Sequence, residues 1–340
     1  MRFSFYGFEV AVESASPEIV TEVARDFAWF VKTSDKSDKP ARLTLTLELA
    51  EPGWSGLPSV PAAVITPRNI TFRDNGHTYV DYFGRGLAIL QDDHSSCAMY
   101  SSDLDMLREM AYLFLLSTVG QHLDARRMHR IHAMGVNHEG KGILLLLPSG
   151  GGKSTMTLEL LKQPDFTLLS EDTLLIDPAG TMHPFPLRLG VRGSKSKEIP
   201  AEFQRTYNRM EFDPKTFVDI DFFRHKLSDA VPVSMILVGE RNLGDASGVV
   251  PLPRRQAMKA VMKYLVVGLG VYQGLEFLLE RGIMDLTGKF GTVSSRMRNG
   301  VTLLRRAPAY KLVLGRDTAK NSAALMEFIR NGNGKSSRDA

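Results

Sequence analysis

With a single cysteine, Cys97, in 340 residues, the chain can close no internal disulfide and can offer no multi-thiolate metal site. Disulfide scaffolds and zinc fingers are thereby excluded, and the composition suits a reducing compartment. Long apolar runs are missing as well. No stretch approaches the ~18 uncharged apolar residues that cross a bilayer, and the longest candidate, Val261 to Leu279, is interrupted by Lys263, Gln273 and Glu276, as a buried helix would be. The opening residues, Met1-Arg2-Phe3-Ser4-Phe5, lack the basic segment and apolar run of a secretion signal. A cytoplasmic protein with no membrane partner is the expectation. Charge of one sign is equally scarce. A net charge of +4 over the whole chain, with basic residues no denser than Arg126-Arg127, Arg254-Arg255 and Arg305-Arg306, argues against a nucleic-acid partner. No internal repeat is present.

What remains is a chain with 43% hydrophobic residues, enough to fill the cores of two or three domains. Residues 1–12 alternate as a strand does, and Ser16-Pro17-Glu18 opens a helix running through Ile19 to Phe30. Arg42 to Leu49 places apolar residues at every second position, the pattern of a half-buried strand. Short strands follow at Ala63 to Ile65, Asn69 to Arg73, His77 to Asp81 and Ala88 to Leu90, with Asp74-Asn75-Gly76 as a hairpin turn. Residues 1–128 therefore read as an α+β domain with a mainly antiparallel sheet, serving substrate recognition or assembly and closed by a long helix capped at Ser102-Asp103. Residues 129–330 alternate between strands and helices: strands at Ile143 to Leu147, Thr167 to Ser170, Leu174 to Asp177, Ser234 to Val238 and Pro308 to Leu314, with helices at Ser154 to Lys162, Arg254 to Arg281 and Thr318 to Ile329. That is an α/β domain with a sheet covered on both faces. Residues 331–340 read as a disordered tail.

The sharpest chemical feature is Leu144-Leu145-Leu146-Leu147-Pro148-Ser149-Gly150-Gly151-Gly152-Lys153-Ser154-Thr155. A buried strand breaks into glycines and re-enters a helix at Lys-Ser-Thr, the arrangement of a phosphate-binding P-loop. Glycines let consecutive amides turn toward phosphate oxygens, and the helix directs its positive end at the same anion. Ser149, Gly150, Gly151, Gly152, Lys153, Ser154 and Thr155 are thus the expected ATP contacts, with Lys153 on the outer phosphates and Ser154 on magnesium. The usual motif begins with glycine where Leu147 stands. Two adjacent carboxylates, Glu171 and Asp172, end the strand Leu168-Leu169-Ser170 and offer one base for a hydroxyl and one metal ligand.

In these residues the chain resembles HPr kinase/phosphorylase, together with the HPr-kinase-like proteins of peptide-modification gene clusters, such as the SynChlorMet cassette and lasso-peptide kinases. That family carries a His-Gly before the P-loop strand, a Gly-x-Ser-Gly-x-Gly-Lys-Ser loop and an Asp-Asp pair after the P-loop helix. Here Pro148 to Ser154 matches the loop, Glu171-Asp172 falls where the acidic pair belongs, and His132-Ala133 stands where the family has His-Gly. The match covers residues 131–192. It implies the HPr kinase/phosphoenolpyruvate carboxykinase-like nucleotide fold, Glu171 as the catalytic base, Asp172 with Ser154 at the metal, and His132 in the active site. Pro184 to Gly193 is similar to the family's arginine-containing segment, so Arg188 and Arg192 become candidates to neutralise the transferring phosphoryl group. Phe212 to Asp219 reads as a lid or acceptor loop with Lys215 as a second phosphate contact.

The expected function is an ATP- and magnesium-dependent kinase that phosphorylates a Ser or Thr hydroxyl of a peptide or small protein. The acceptor, its link to a ribosomally made peptide and a homo-oligomeric assembly come from the resemblance. Two alternatives stand beside it: a nucleotide-binding scaffold of a peptide-modification cluster, which could lose Glu171 without losing its activity, and a small-molecule kinase on the same fold.

Overall fold

The computed structural model describes residues 1–33, 40–148, 150–191, 197–210, 212–266 and 285–331. The expected tail lies outside them apart from Asn331, as do Ser149, Arg192 and the second half of the expected Arg254 to Arg281 helix. The chain divides into two compact units. The first comprises Met1–Leu123, Arg188–Phe222 and a short piece ending at Thr287; the second comprises Asp124–Leu187, Phe223–Tyr272 and Gly288–Ala340. The division at Leu123 falls near the expected boundary at 128, whereas the return of Arg188–Phe222 to the first unit has no counterpart in the sequence reading.

The first unit opens with β1 (Arg2–Phe5) and β2 (Phe8–Glu13), an antiparallel hairpin rather than the single strand expected over 1–12. The turn is Tyr6-Gly7, both at positive φ (52° and 86°). Pro17 then enters the first turn of α1 (Pro17–Asp26), which is shorter than expected and followed by a separate 3₁₀ turn, Ala28–Phe30. The strands β3 (Leu43–Leu49), β4 (Ala62–Ile65), β5 (Ile70–Asp74), β6 (His77–Asp81), β7 (Leu87–Gln91) and β8 (Ser96–Ser101) complete an eight-stranded sheet ordered β1-β2-β3-β8-β7-β6-β5-β4. Only β2·β3 and β3·β8 are parallel, so the sheet is mainly antiparallel. Its alternation has a physical meaning: Leu43, Leu45, Leu47, Val80, Cys97 and Met99 are buried on one face, while Thr44, Thr46, Phe72, Tyr79 and Tyr100 are half-exposed on the other. Asp103 caps α2 (Leu104–Ala125), its Oδ1 accepting from the Met106 amide at 3.1 Å.

The second unit runs β9 (His129–His132), β10 (Met134–His138), β11 (Lys141–Leu146), α3 (Lys153–Leu161), β12 (Phe166–Ser170), β13 (Thr173–Ile176) and β14 (Thr181–His183). The chain then supplies the first unit with a three-stranded sheet: β15 (Leu189–Val191), β16 (Gln204–Arg209) and β17 (Phe212–Val218), with β17 in the middle. The loop expected over Phe212 to Asp219 is therefore a strand. Pro214 is accommodated because β15 pairs only with Thr216 to Val218, and the register against β16 shifts beside it.

Back in the second unit come β18 (Val231–Arg241), β19 (Gly248–Pro251), α4 (Arg254–Val261) continued by a π turn through Val266, α5 (Asp285–Arg306), β20 (Ala309–Leu314) and α6 (Thr318–Arg330). The sheet order is β12-β10-β11-β18-β14-β13-β9, with β20 also on β18 and β19 on β20. Its centre, β11-β18-β20, is parallel, and all three strands end on the same side. The apolar run Ile143 to Leu146 is buried throughout, as a strand covered on both faces must be. Ile131, Leu144, Leu146, Ile236, Leu265 and Leu303 share one core there. Both units are thus mixed α/β built on large sheets, and no helix among the described residues is long and apolar enough to cross a membrane.

Candidate functional site

The site lies where β11 ends, at the C-terminal edge of the parallel strands, a position at which open α/β sheets bind ligands. Leu146 is the last strand residue; Leu147 is wholly buried, and Pro148 turns the chain outward. Leu147 can stand where the usual motif has glycine because its side chain lies over Gly239 of the neighbouring β18. A Cβ at residue 239 would overlap Leu147 Cγ at 2.7 Å. Gly150 and Gly152 hold positive φ of 73° and 102°, and the Gly151 amide donates to Pro148 O at 2.9 Å to close the turn. Gly152 is the N-cap of α3, and among the described residues no side chain caps that end. The orphan amides and the positive end of the helix dipole therefore face the loop unspent.

Lys153, the first helical residue, is 5% exposed, and its ammonium folds back under the loop. Nζ donates to Leu147 O at 3.1 Å and to His132 Nε2 at 2.7 Å, and it lies 3.4 Å from Asp172 Oδ1. His132 ends β9 beside β13, and Nδ1 of its ring lies 3.3 Å from the same Asp172 oxygen. Tyr264, from the π turn, stacks on that ring at 6.1 Å between centroids; burial raises the pKa of its phenol. Next in the helix, Ser154 Oγ donates to Glu171 Oε1 at 2.6 Å. The two carboxylates thus have separate surroundings. Glu171 is buried against the helix start, whereas the Asp172 side chain is 42% exposed beside Lys153 and His132. Burial pushes the Asp172 carboxyl up, but His132 and Lys153 together more than offset it and hold it below the ordinary carboxylate range. Thr155 is half-buried in the first turn of α3.

Five expected residues, His132, Lys153, Ser154, Glu171 and Asp172, thereby converge with Gly150 to Gly152. Arg188 does not join them. Within the first unit its guanidinium, 3% exposed, bonds Asp26 at 2.9 Å and Glu109 at 3.3 Å and packs on the rings of Tyr112 and Phe217. Arg108 and Arg205 share Asp26, and Arg205 also binds Asp219 and Glu22, making a buried ion network rather than a free cation. Lys215 is a residue of β17, opposite Tyr207.

One residue absent from the sequence reading does reach the loop. Arg241, the last residue of β18, donates through Nε to Gly151 O at 3.1 Å, and its Nη2 lies where it would stand 2.8 Å from a Cβ at Gly152. Its side chain is exposed, and no described carboxylate pairs with it. A lone arginine at a strand end carries no motif; only the β11·β18 register brings it to the glycines. No family model matches the chain, and no curated protein matches it either.

Proposed function

We propose that the glycine loop holds a nucleoside triphosphate and that the chain is a phosphotransferase of the HPr-kinase-like kind, transferring the γ-phosphoryl group to a hydroxyl of a peptide or small protein. The carrying observation is the Lys153 ammonium, anchored on Leu147 O and His132 Nε2 directly beneath uncapped helix amides. A buried cation prealigned under unspent backbone donors is an anion site before any ligand arrives. Gly150 to Gly152 wrap the phosphates, and Lys153 and Arg241 approach them from two sides.

The Ser154 hydroxyl and Glu171 carboxylate, 2.6 Å apart, are hard oxygen donors of the type magnesium takes alongside phosphate oxygens and water, so the residues fit that ion. When bound with the nucleotide, the ion supplies charge neutralisation on the phosphates. This geometry favours exchanging the roles that the resemblance implies for the carboxylates: Glu171 with Ser154 on the metal side, and Asp172, ionised and partly open to solvent, as the group that receives the acceptor's proton. In that step the acceptor oxygen forms a bond to the γ-phosphorus as the bridging P–O bond to the β-phosphate breaks. The hydroxyl proton passes to Asp172, and the nucleoside diphosphate leaves. His132 orients Asp172 and Lys153 without touching the reacting atoms.

Intact-mass analysis of HPr and of a peptide encoded beside the gene, after incubation with magnesium and ATP, tests the reading. A gain of about 80 Da, one phosphoryl group, that disappears in Lys153→Ala and Asp172→Asn supports it. Tight ATP binding with no transfer to either acceptor or to water assigns the loop to a nucleotide-gated scaffold instead.

A further inference from the structure

The first unit carries a second candidate site that the phosphotransfer reading leaves unused. On the half-exposed face of its large sheet, Phe72 of β5 stands directly opposite Tyr79 of β6, and Asp81 follows two residues along the same face. The connection between β3 and β4 passes over these strands with Trp54, Leu57 and Pro58. The six residues enclose, with Leu87, a cavity of about 150 Å³. Trp54 keeps 42% of its surface exposed and forms an open wall of the cavity. The cavity is too small for a nucleotide or a drug-sized ligand and has the size of one side-chain head group.

The chemistry of the walls selects the charge of the occupant. Three aromatic rings line it, Trp54, Phe72 and Tyr79, and the face of such a ring attracts a cation held against it. Asp81 adds a full negative charge. The Gly84 amide donates to its Oδ1 at 2.8 Å and fixes the carboxylate, and among the described residues no lysine or arginine pairs with it. Asp81 is half-buried beside the aromatic rings and has no cation of its own among the described residues, so it favours a cationic occupant and repels an anion. We propose that this cavity binds an organic cation, a guanidinium or alkylammonium head on a short alkyl stem, as a free small molecule or as the basic side chain of a peptide. The proposal is independent of the glycine loop.

Trp29 and Trp54 are the two tryptophans of the chain, so a Trp29→Phe background leaves Trp54 as the reporter. In that background n-butylguanidinium is titrated against its neutral isostere n-butylurea, each followed by Trp54 fluorescence. The expected result is saturable binding of the cation, about tenfold or more tighter than the urea. Asp81→Asn erases the difference, and Asp81→Glu, which keeps the charge, restores most of it. An acetylated, amidated Gly-Ser-Arg-Ser-Gly peptide and its citrulline counterpart separate the sources. Tighter binding of the arginine peptide than of n-butylguanidinium assigns a peptide side chain, and weaker binding assigns a free small cation. Equal affinity for n-butylguanidinium and n-butylurea in the Trp29→Phe protein overturns the proposal, whether or not the Asp81 variants fold.

Discussion

The Lys153 ammonium donates to His132 Nε2 across 2.7 Å, which fixes the state of the imidazole. A nitrogen that accepts from an ammonium carries a lone pair, which leaves the ring proton on Nδ1, 3.3 Å from Asp172 Oδ1 but not hydrogen-bonded to it. One cation, one neutral ring and one carboxylate close a triangle without excess charge. Lys153 is thereby aligned under the loop, and Asp172 is held ionised. Nitrogen-detected NMR of the histidine rings is expected to report the Nδ1–H form for His132; an Nε2–H ring contradicts the triangle.

Lys153→Ala removes the ammonium from beneath the loop and leaves the backbone cradle. Charge-assisted hydrogen bonds are worth about 1.5–3 kcal/mol, so nucleotide affinity is expected to fall by roughly 10- to 150-fold. Titration calorimetry measures it, with thermal melting to show that the fold persists.

Glu171→Gln and Asp172→Asn are expected to fail differently. Glu171→Gln weakens the Ser154 side of the site and raises the magnesium concentration needed for half-maximal activity. Asp172→Asn leaves that requirement in place and lowers turnover, by about 10²-fold or more for a lost proton acceptor. Rate against magnesium concentration for both variants separates the two roles; the opposite pattern restores Glu171 as the base.

Arg241→Ala takes away the guanidinium that rests on Gly151 and Gly152. A single exposed cation contributes less than a buried one, and a loss of roughly 3- to 10-fold in nucleotide affinity is expected, with Arg241→Lys retaining part of it. Because screening weakens exposed charges, the loss should shrink between 0.05 and about 0.5 M salt.

Within the second unit Asp124 ties β9 to α5: its carboxylate accepts from Arg296 at 2.6 Å and contacts His129 Nδ1 at 2.8 Å. Burial raises its pKa, and His129, Arg296 and Arg130 more than offset that, leaving it below the ordinary carboxylate range. A depressed folded-state pKa contributes stability that is complete above the unfolded value near 4 and is lost as pH falls through the lower folded value. Asp124→Asn is therefore expected to cost about 3 kcal/mol at pH 7 and progressively less below about pH 4, read from urea unfolding at both pH values.

Much of this arrangement is written locally in the chain. The period-two leucines of Leu43 to Leu49, the Asp103 cap and the passage from Leu146 through glycines to Lys153 are short-range signals, and each forms the element its pattern predicts. Other features depend on distant partners and leave no local trace. The hairpin at Tyr6-Gly7 lacks the Asn-Gly or Asp-Gly pair that announces such turns. Arg188 resembles a catalytic arginine in sequence, but its partners Asp26 and Glu109 are 162 and 79 residues away. Arg241 becomes visible only when β18 aligns beside β11. The separate surroundings of Glu171 and Asp172 arise because successive residues point to different sides, Glu171 to Ser154 of α3 and Asp172 to His132 of β9.

Equilibrium binding of a fluorescent ATP analogue with magnesium tests whether the glycine loop binds a nucleoside triphosphate. The native chain is expected to bind saturably, to be displaced by unlabelled ATP and to lose most of its affinity in Lys153→Ala. Binding that is absent, or unchanged by Lys153→Ala, would mean that the loop is not a nucleotide site.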